Sequence, residues 1–360
     1  MKRLLFIALL VIALGAAGAL LWMRDGGGVV ELSQAEMDAA KRSGAAAQEI
    51  AVESQDEEEA PLPTLEELKE IASREQMEGF AARIREERSS ATGEDAALLT
   101  VLLSEVERLC GRVESAYDLA VEGAESLPQN SRARHMVAKA ILARIMAKAD
   151  AGDWGALLSM MSEVKAYKAE VNAAVELDPA NVDARVGQIL TLLLPGFLGN
   201  KKRAKELIEE IGEYDPLRRE FWNAQVIALD DDRLDEAVTE FERLREAYPE
   251  DADILMTLGE LYIKQDAWES AIATFDRLNV EPRTPHAYRS LYQGAKARMK
   301  AGRDADEALA MLTEFEAANP VGEPMPTMDR VKYHRGRALT KLGRFADAVA
   351  SLEASLEIKP

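Results

Sequence analysis

The sequence predicts an all-α solenoid of about seven helical hairpins, and three observations carry that expectation. An alanine is followed eleven or twelve residues later by a proline six times, at Ala116/Pro128, Ala204/Pro216, Ala237/Pro249, Ala271/Pro282, Ala308/Pro320 and Ala348/Pro360, with Tyr167 standing in the same relation to Pro179. The places four and seven residues after each start are small or apolar, as with Val171 and Ala174, Phe241 and Leu244, or Phe275 and Leu278, which is helical spacing. Successive prolines lie 51, 37, 33, 33, 38 and 40 residues apart, so a unit of about 34 residues recurs with short insertions. Each such stretch reads as the second helix of a hairpin, closed by a proline that lacks the amide proton the next turn would need.

These units resemble the tetratricopeptide repeat. The nearest runs from Ala252 to Pro282 with Leu255, Leu258-Gly259, Tyr262, Trp268, Ala271, Phe275 and Pro282, and the last repeats it with Gly336, Gly343, Phe345, Ala348, Leu352 and Pro360. The resemblance covers about 97–360, a repeat domain with units near 97–130, 131–181, 182–217, 218–251, 252–284, 285–322 and 329–360. It implies a right-handed superhelix in which glycine and alanine let paired helices approach and the larger residues fill the gap between hairpins. The second unit is enlarged, with helices expected near Ser131–Ala151 and Asp153–Leu177 joined at Gly152-Asp153-Trp154.

Ahead of the repeats, Thr64 and Glu67 make a capping box, and Leu65, Leu68, Ile71, Phe80 and Ile84 continue a helical stripe, so 63–96 is expected as a capping helix over the first hairpin. Leu4 to Met23 is an uncharged, mostly apolar run preceded by Lys2-Arg3. At about 1.5 Å per residue it reaches roughly 30 Å, a bilayer core. Residues 1–23 are therefore expected as a signal anchor and transmembrane helix, with Trp22 at the interface and everything beyond it extracytoplasmic. That places the chain in a bacterial inner membrane with its repeats in the periplasm. The small-residue run Gly15–Ala19 also fits a cleaved signal peptide, which would make the protein secreted. Residues 24–62, with Gly26-Gly27-Gly28 and Asp56–Glu59, read as a flexible acidic linker reaching roughly 35 Å.

The 360 residues hold 64 acids against 44 bases, a net charge of −20, which repels nucleic acid and excludes it as a partner. The single cysteine, Cys110, can form neither an intramolecular disulfide nor a cysteine zinc cluster and is expected as a buried filler. No cysteine follows the apolar run, against a lipid anchor. The three histidines, His135, His286 and His334, fall in three different units and are expected on helix surfaces. With no histidine pair, paired carboxylates or nucleotide fingerprint, the sequence points to no catalytic residue, no metal and no cofactor.

What remains is the groove. In the repeat, the fifth place of each first helix points inward; here those places are Val101, His135, Val186, Trp222, Met256, Tyr292 and Tyr333. Leu190, Leu193, Leu194, Val226 and Ile263 add an apolar middle; Arg289, Lys296, Lys300, Arg330, Arg337 and Lys341 add a basic C-terminal end. The expected peptide-binding groove is Trp222, Val226, Met256, Ile263, Tyr292, Lys296, Lys300, Arg330, Tyr333, Arg337 and Lys341, taking an extended or helical segment with acidic groups toward the cations. The alternative is that inward lysines pair with neighbouring glutamates and Trp222 packs on its own hairpin. The ninth places, Glu105, Lys139, Leu190, Val226, Glu260, Lys296 and Arg337, lack the asparagine of chaperone-carboxylate clamps. Lys201, Lys202 and Arg203, opening a helix after the long turn 194–199, are a possible anion site or simply solvated charges. The C-terminal hairpin is a possible homo-oligomer contact. The leading functional expectation is a membrane-tethered adaptor for protein or peptide segments in envelope assembly, secretion or quality control. The alternatives are a secreted ligand-binding accessory protein of a transporter and a structural spacer.

Overall fold

The computed structural model describes residues 62–150, 157–194, 199–322 and 324–358. The expected anchor and most of the linker, the turn at Gly152-Asp153-Trp154 and the loop 195–198 lie outside them. Among the described residues no helix is long and apolar enough to cross a membrane.

The described chain is helical throughout: α1 Leu65–Leu68, α2 Arg74–Ser90, α3 Gly93–Leu109, α4 Val113–Ser126, α5 Ser131–Asp150, α6 Leu157–Leu177, α7 Val182–Leu192, α8 Lys201–Ile211, α9 Pro216–Ala228, α10 Leu234–Ala247, α11 Ala252–Lys264, α12 Trp268–Leu278, α13 Pro285–Ala301, α14 Ala305–Ala318, α15 Met328–Lys341 and α16 Phe345–Ile358. From α3 onward these form seven antiparallel hairpins, α3–α4 through α15–α16, each packed on the next. Side-chain caps set the starts: Asn181, Asn200, Asp215, Asp251 and Thr284 each accept from the amide three residues on, satisfying a donor that the first turn leaves open.

Two details differ from the sequence expectation. Residues 63–96 are not one helix: α1 stops at Leu68, and Ser73 accepts from the Gln76 amide to start α2 afresh, so the apolar stripe is carried across a break. Pro216 does not close α8, which ends at Ile211. It opens α9 at the first helical position, where the missing N–H costs nothing and Asp215 supplies the cap.

Within hairpins, glycine sets how near the helices come. A β-carbon on Gly259 would stand 2.5 Å from the Phe275 ring, and one on Gly336 would stand 2.6 Å from Leu352. Both contacts join a first helix to the residue four places after the repeat's alanine, Ala271 or Ala348, in the second helix. Successive first helices touch (α3 with α5, α11 with α13, α13 with α15), whereas no comparable contact joins successive second helices among the described residues. The array therefore curves with its first helices on the inner side.

The curvature brings the loop between the sixth and seventh hairpins against residues 72–74 and the end of α3. The Val321 amide, in the loop after α14, donates to the Ala72 carbonyl at 2.8 Å, and the Gly322 amide donates to the Leu109 carbonyl at 3.3 Å. Arg74 donates to the carbonyls of Asn319 and Cys110. Val321 is buried in one apolar cluster with Leu68, Met77, Ala81, Ile84, Leu103, Val106, Leu109 and Cys110. Cys110 is a buried filler there, and burial pushes its thiol pKa up.

Candidate protein-binding groove

The inner side divides into three stretches of different chemistry. Along the first hairpins it is charged but paired. Glu105 on α3 is fully buried; it accepts from Arg108 Nε at 2.7 Å and Nη2 at 2.9 Å and from the Lys139 ammonium of α5. Burial raises its pKa, but Arg108 and Lys139 outweigh that and hold the carboxyl well below the usual range. Lys139 in turn is lowered to about 8, by burial first and then by the Arg108 charge. His135, one turn before Lys139, is lowered to about 4 by burial and by Lys139.

Along the middle, the inner side is apolar and closed. Trp222 and Met256 are 5% and 2% exposed and belong, with Val226 and Ile263 at its edge, to the largest core cluster. Phe221 bridges Trp222 and Phe241 by edge-to-face contacts at 6.0 and 5.5 Å. Trp222 and Met256 are thus walls between hairpins; the surface available to a partner here is the half-buried Val226 and Ile263. At the rim, Asp253 Oδ2 accepts from Arg218 at 2.8 Å and Oδ1 lies 3.0 Å from His286 Nε2, tying the starts of α9, α11 and α13. Burial opposes ionisation of Asp253, yet His286 and Arg218 together hold it charged, well below the usual carboxylate range.

The C-terminal stretch gathers the predicted rings and cations. Tyr292 and Tyr333, from α13 and α15, both meet the His334 ring edge-on, at 5.5 and 5.2 Å. Lys296 lies over Tyr292 at 5.4 Å and Arg337 over Tyr333 at 5.7 Å. Tyr292 and Lys296 are 3% and 8% exposed, whereas Tyr333, Arg330 and Arg337 are half-buried and Lys300 and Lys341 exposed. His334 is buried rather than on a helix surface, because it fills the gap between the two tyrosines. Lys341 donates to the Met299 carbonyl at 2.6 Å, which sets its ammonium beside Lys300. Among the described residues no carboxylate pairs with Lys300, Arg337 or Lys341.

Behind this end sits Glu260, 1% exposed, which accepts from Arg289 and from the Gln293 amide, both at 3.3 Å. Its other oxygen, and the Gln293 side-chain oxygen, have no partner among the described residues. Burial pushes the Glu260 carboxyl above its ordinary range in spite of Arg289 and Lys296. Inward charge pairing of this kind was open to sequence reading: Glu105 and Lys139 hold the same place in consecutive units. The proposed anion residues are arranged differently. Asn200 accepts from the Arg203 amide, and the Arg203 guanidinium is held by Glu206 and Glu210 at 3.0 and 2.9 Å, while Lys201 and Lys202 are exposed.

Family models described as tetratricopeptide repeat match residues 228–299 and 292–360. Residues 228–360 carry tetratricopeptide repeats. The fold of the helical array is similar to solved structures. Yeast Tom70 is similar over 79% of this chain and 55% of its own, at TM-score 0.58 and 15% identity. The human IFIT1 dimer with PPP-AAAA is similar over 78% of this chain and 65% of its own, at TM-score 0.52 and 15% identity. The chain thus spans little more than half of the first and under two thirds of the second, and at this identity the likeness is one of fold. No curated protein matches the sequence. Tetratricopeptide repeats suggest a protein-interaction scaffold.

Proposed function

We propose that this chain is a membrane-tethered tetratricopeptide adaptor that holds segments of partner proteins against its inner side, in envelope assembly, secretion or quality control. One observation carries the reading: on a chain of net charge −20, Lys300, Arg337 and Lys341 share one end of the inner side without a carboxylate partner among the described residues, next to the half-buried Tyr333. Other arginines, such as Arg112, Arg144, Arg243 and Arg298, are taken up by ion pairs. Cations kept beside an aromatic ring offer charge-assisted hydrogen bonds to a carboxylate, and steer an acidic segment into place. Val226 and Ile263 extend the contact with apolar area. The tether is supported by the uncharged run Leu4–Met23, and self-association by α16, which leaves Leu356 and Ile358 62% and 52% exposed.

The test is a full-length variant carrying Tyr333→Ala, Lys300→Glu and Arg337→Glu, compared with wild type by crosslinking and mass spectrometry in the native host. Partner recovery is expected to drop at least tenfold while helicity by circular dichroism is unchanged; undiminished recovery would remove the reading. Membrane fractionation tests the tether. The wild-type chain should sediment with membranes, and a soluble form beginning at Leu20 would favour the secreted alternative.

A further inference from the structure

One stretch of the chain itself already lies on the inner side, over the first hairpins and away from the basic C-terminal end. Residues 62–72 pass the starts of α5 and α7 and leave beside the C-terminal end of α3, where Arg74 donates to the Cys110 carbonyl. Leu68 is fully buried in the cluster shared with α2 and α3. Glu66 stands 3.9 Å from Arg132 on α5, and Lys69 donates to Asp183 on α7 at 2.9 Å. The Lys69 charge also bears on His135 and Lys139, the inward residues of α5. These contacts come from three successive first helices, so one short segment spans the inner side of the first three hairpins.

Its attachment is light. Both ion pairs join half-exposed side chains, where such pairs contribute little. α1 is a single turn, too short to be stable by itself. Leu68 is fully buried and Leu62, Leu65 and Ile71 are only partly covered, so the segment is fixed firmly only where it ends, at the buried Ala72 whose carbonyl accepts from Val321.

We propose that residues 62–72 are a built-in occupant of the groove, and that the partner which displaces them is a protein segment of the same chemistry. That segment is a short helix with leucines three apart, a carboxylate after the first and a cation after the second, as in Leu65-Glu66-Glu67-Leu68-Lys69. The proposal rests on the adaptor reading and specifies its partner. The order of charges selects the direction of binding, because a segment with them exchanged would set a cation against Arg132 and a carboxylate against Asp183. The internal copy, covalently attached, competes at an effective concentration of roughly millimolar, so the resting chain binds partners weakly until the segment lets go.

The probe is a fluorescent synthetic peptide of residues 62–73, added to the full-length chain and to a full-length Leu65→Ser/Leu68→Ser variant. The peptide is expected to bind the variant at least tenfold more tightly than wild type, and a peptide with Glu66→Lys and Lys69→Glu to lose at least tenfold on the same variant. Equal affinities for both chains, or indifference to the charge exchange, would overturn the proposal. Should the variant not fold, hydrogen exchange on isotope-labelled wild type decides. Saturating unlabelled peptide should speed exchange of amides 66–70 at least fivefold and leave those of α11 and α12 unchanged, and protection that stays put rules displacement out. Failure here, with partner recovery still lost in the Tyr333, Lys300 and Arg337 variant, would remove the internal occupant and leave the adaptor standing.

Discussion

The ring of Phe275 lies so close over Gly259 that a single methyl group on the glycine would come within 2.5 Å of it. Phe275 is fully buried and cannot swing aside, so Gly259→Ala gains helix propensity but forces α11 and α12 apart. Overpacking of this kind costs about 1–3 kcal/mol. Thermal or urea denaturation should show that loss, and Gly259→Ala with Phe275→Leu should recover part of it.

Glu105 is the common partner of Arg108 and Lys139. Glu105→Ala leaves two cations facing each other between α3 and α5, and removing one member of a buried charged set typically costs about 3–5 kcal/mol. Replacing Glu105, Arg108 and Lys139 together, by Leu, Met and Met, should be far milder. A double-mutant cycle by chemical denaturation gives the coupling.

His135 should make the fold sensitive to acid. Its folded-state pKa of about 4 lies below the ordinary 6.5, because burial and Lys139 disfavour the charged ring. Between those values the unfolded chain binds the extra proton, so the neutral ring's stability is complete above pH 6.5 and declines as pH falls toward 4. Asp183 and Glu105 also face the ring and moderate the effect, whereas Lys69 adds to it. His135→Gln should remove about 2 kcal/mol of that decline, read from melting curves across the window.

Glu260 should do the opposite. Its carboxyl is raised by burial, so the stability tied to its protonated form is present below the ordinary carboxylate range and is lost as pH rises. Glu260→Gln keeps the shape and carries no charge to bury. The variant should melt higher than wild type at pH 7.5, and the advantage should shrink as pH falls toward 4.

The repeats were legible because packing writes them into spacing: the alanine and proline pairs mark the second helices, and Gly259 and Gly336 mark the places where the first helices meet them. The functional face was less legible, because position alone does not give exposure. Trp222, Met256 and Tyr292 do occupy one register, yet the neighbouring hairpins close over them, and the surface passes to Val226, Ile263, Tyr333 and Arg337. Residues 62–72 showed their capping box and leucines, but not where they lie. That depends on Arg132, Asp183 and Val321, far along the chain, and on how strongly the array curves.

A linear stack of hairpins is held by neighbours alone and can fray one unit at a time from either tip. The bond from Val321 to Ala72 turns this stack into a loop with a clasp. Removing residues up to Ala72 should therefore loosen amides of the sixth hairpin, and melting should be sharper than that of an open array of equal length.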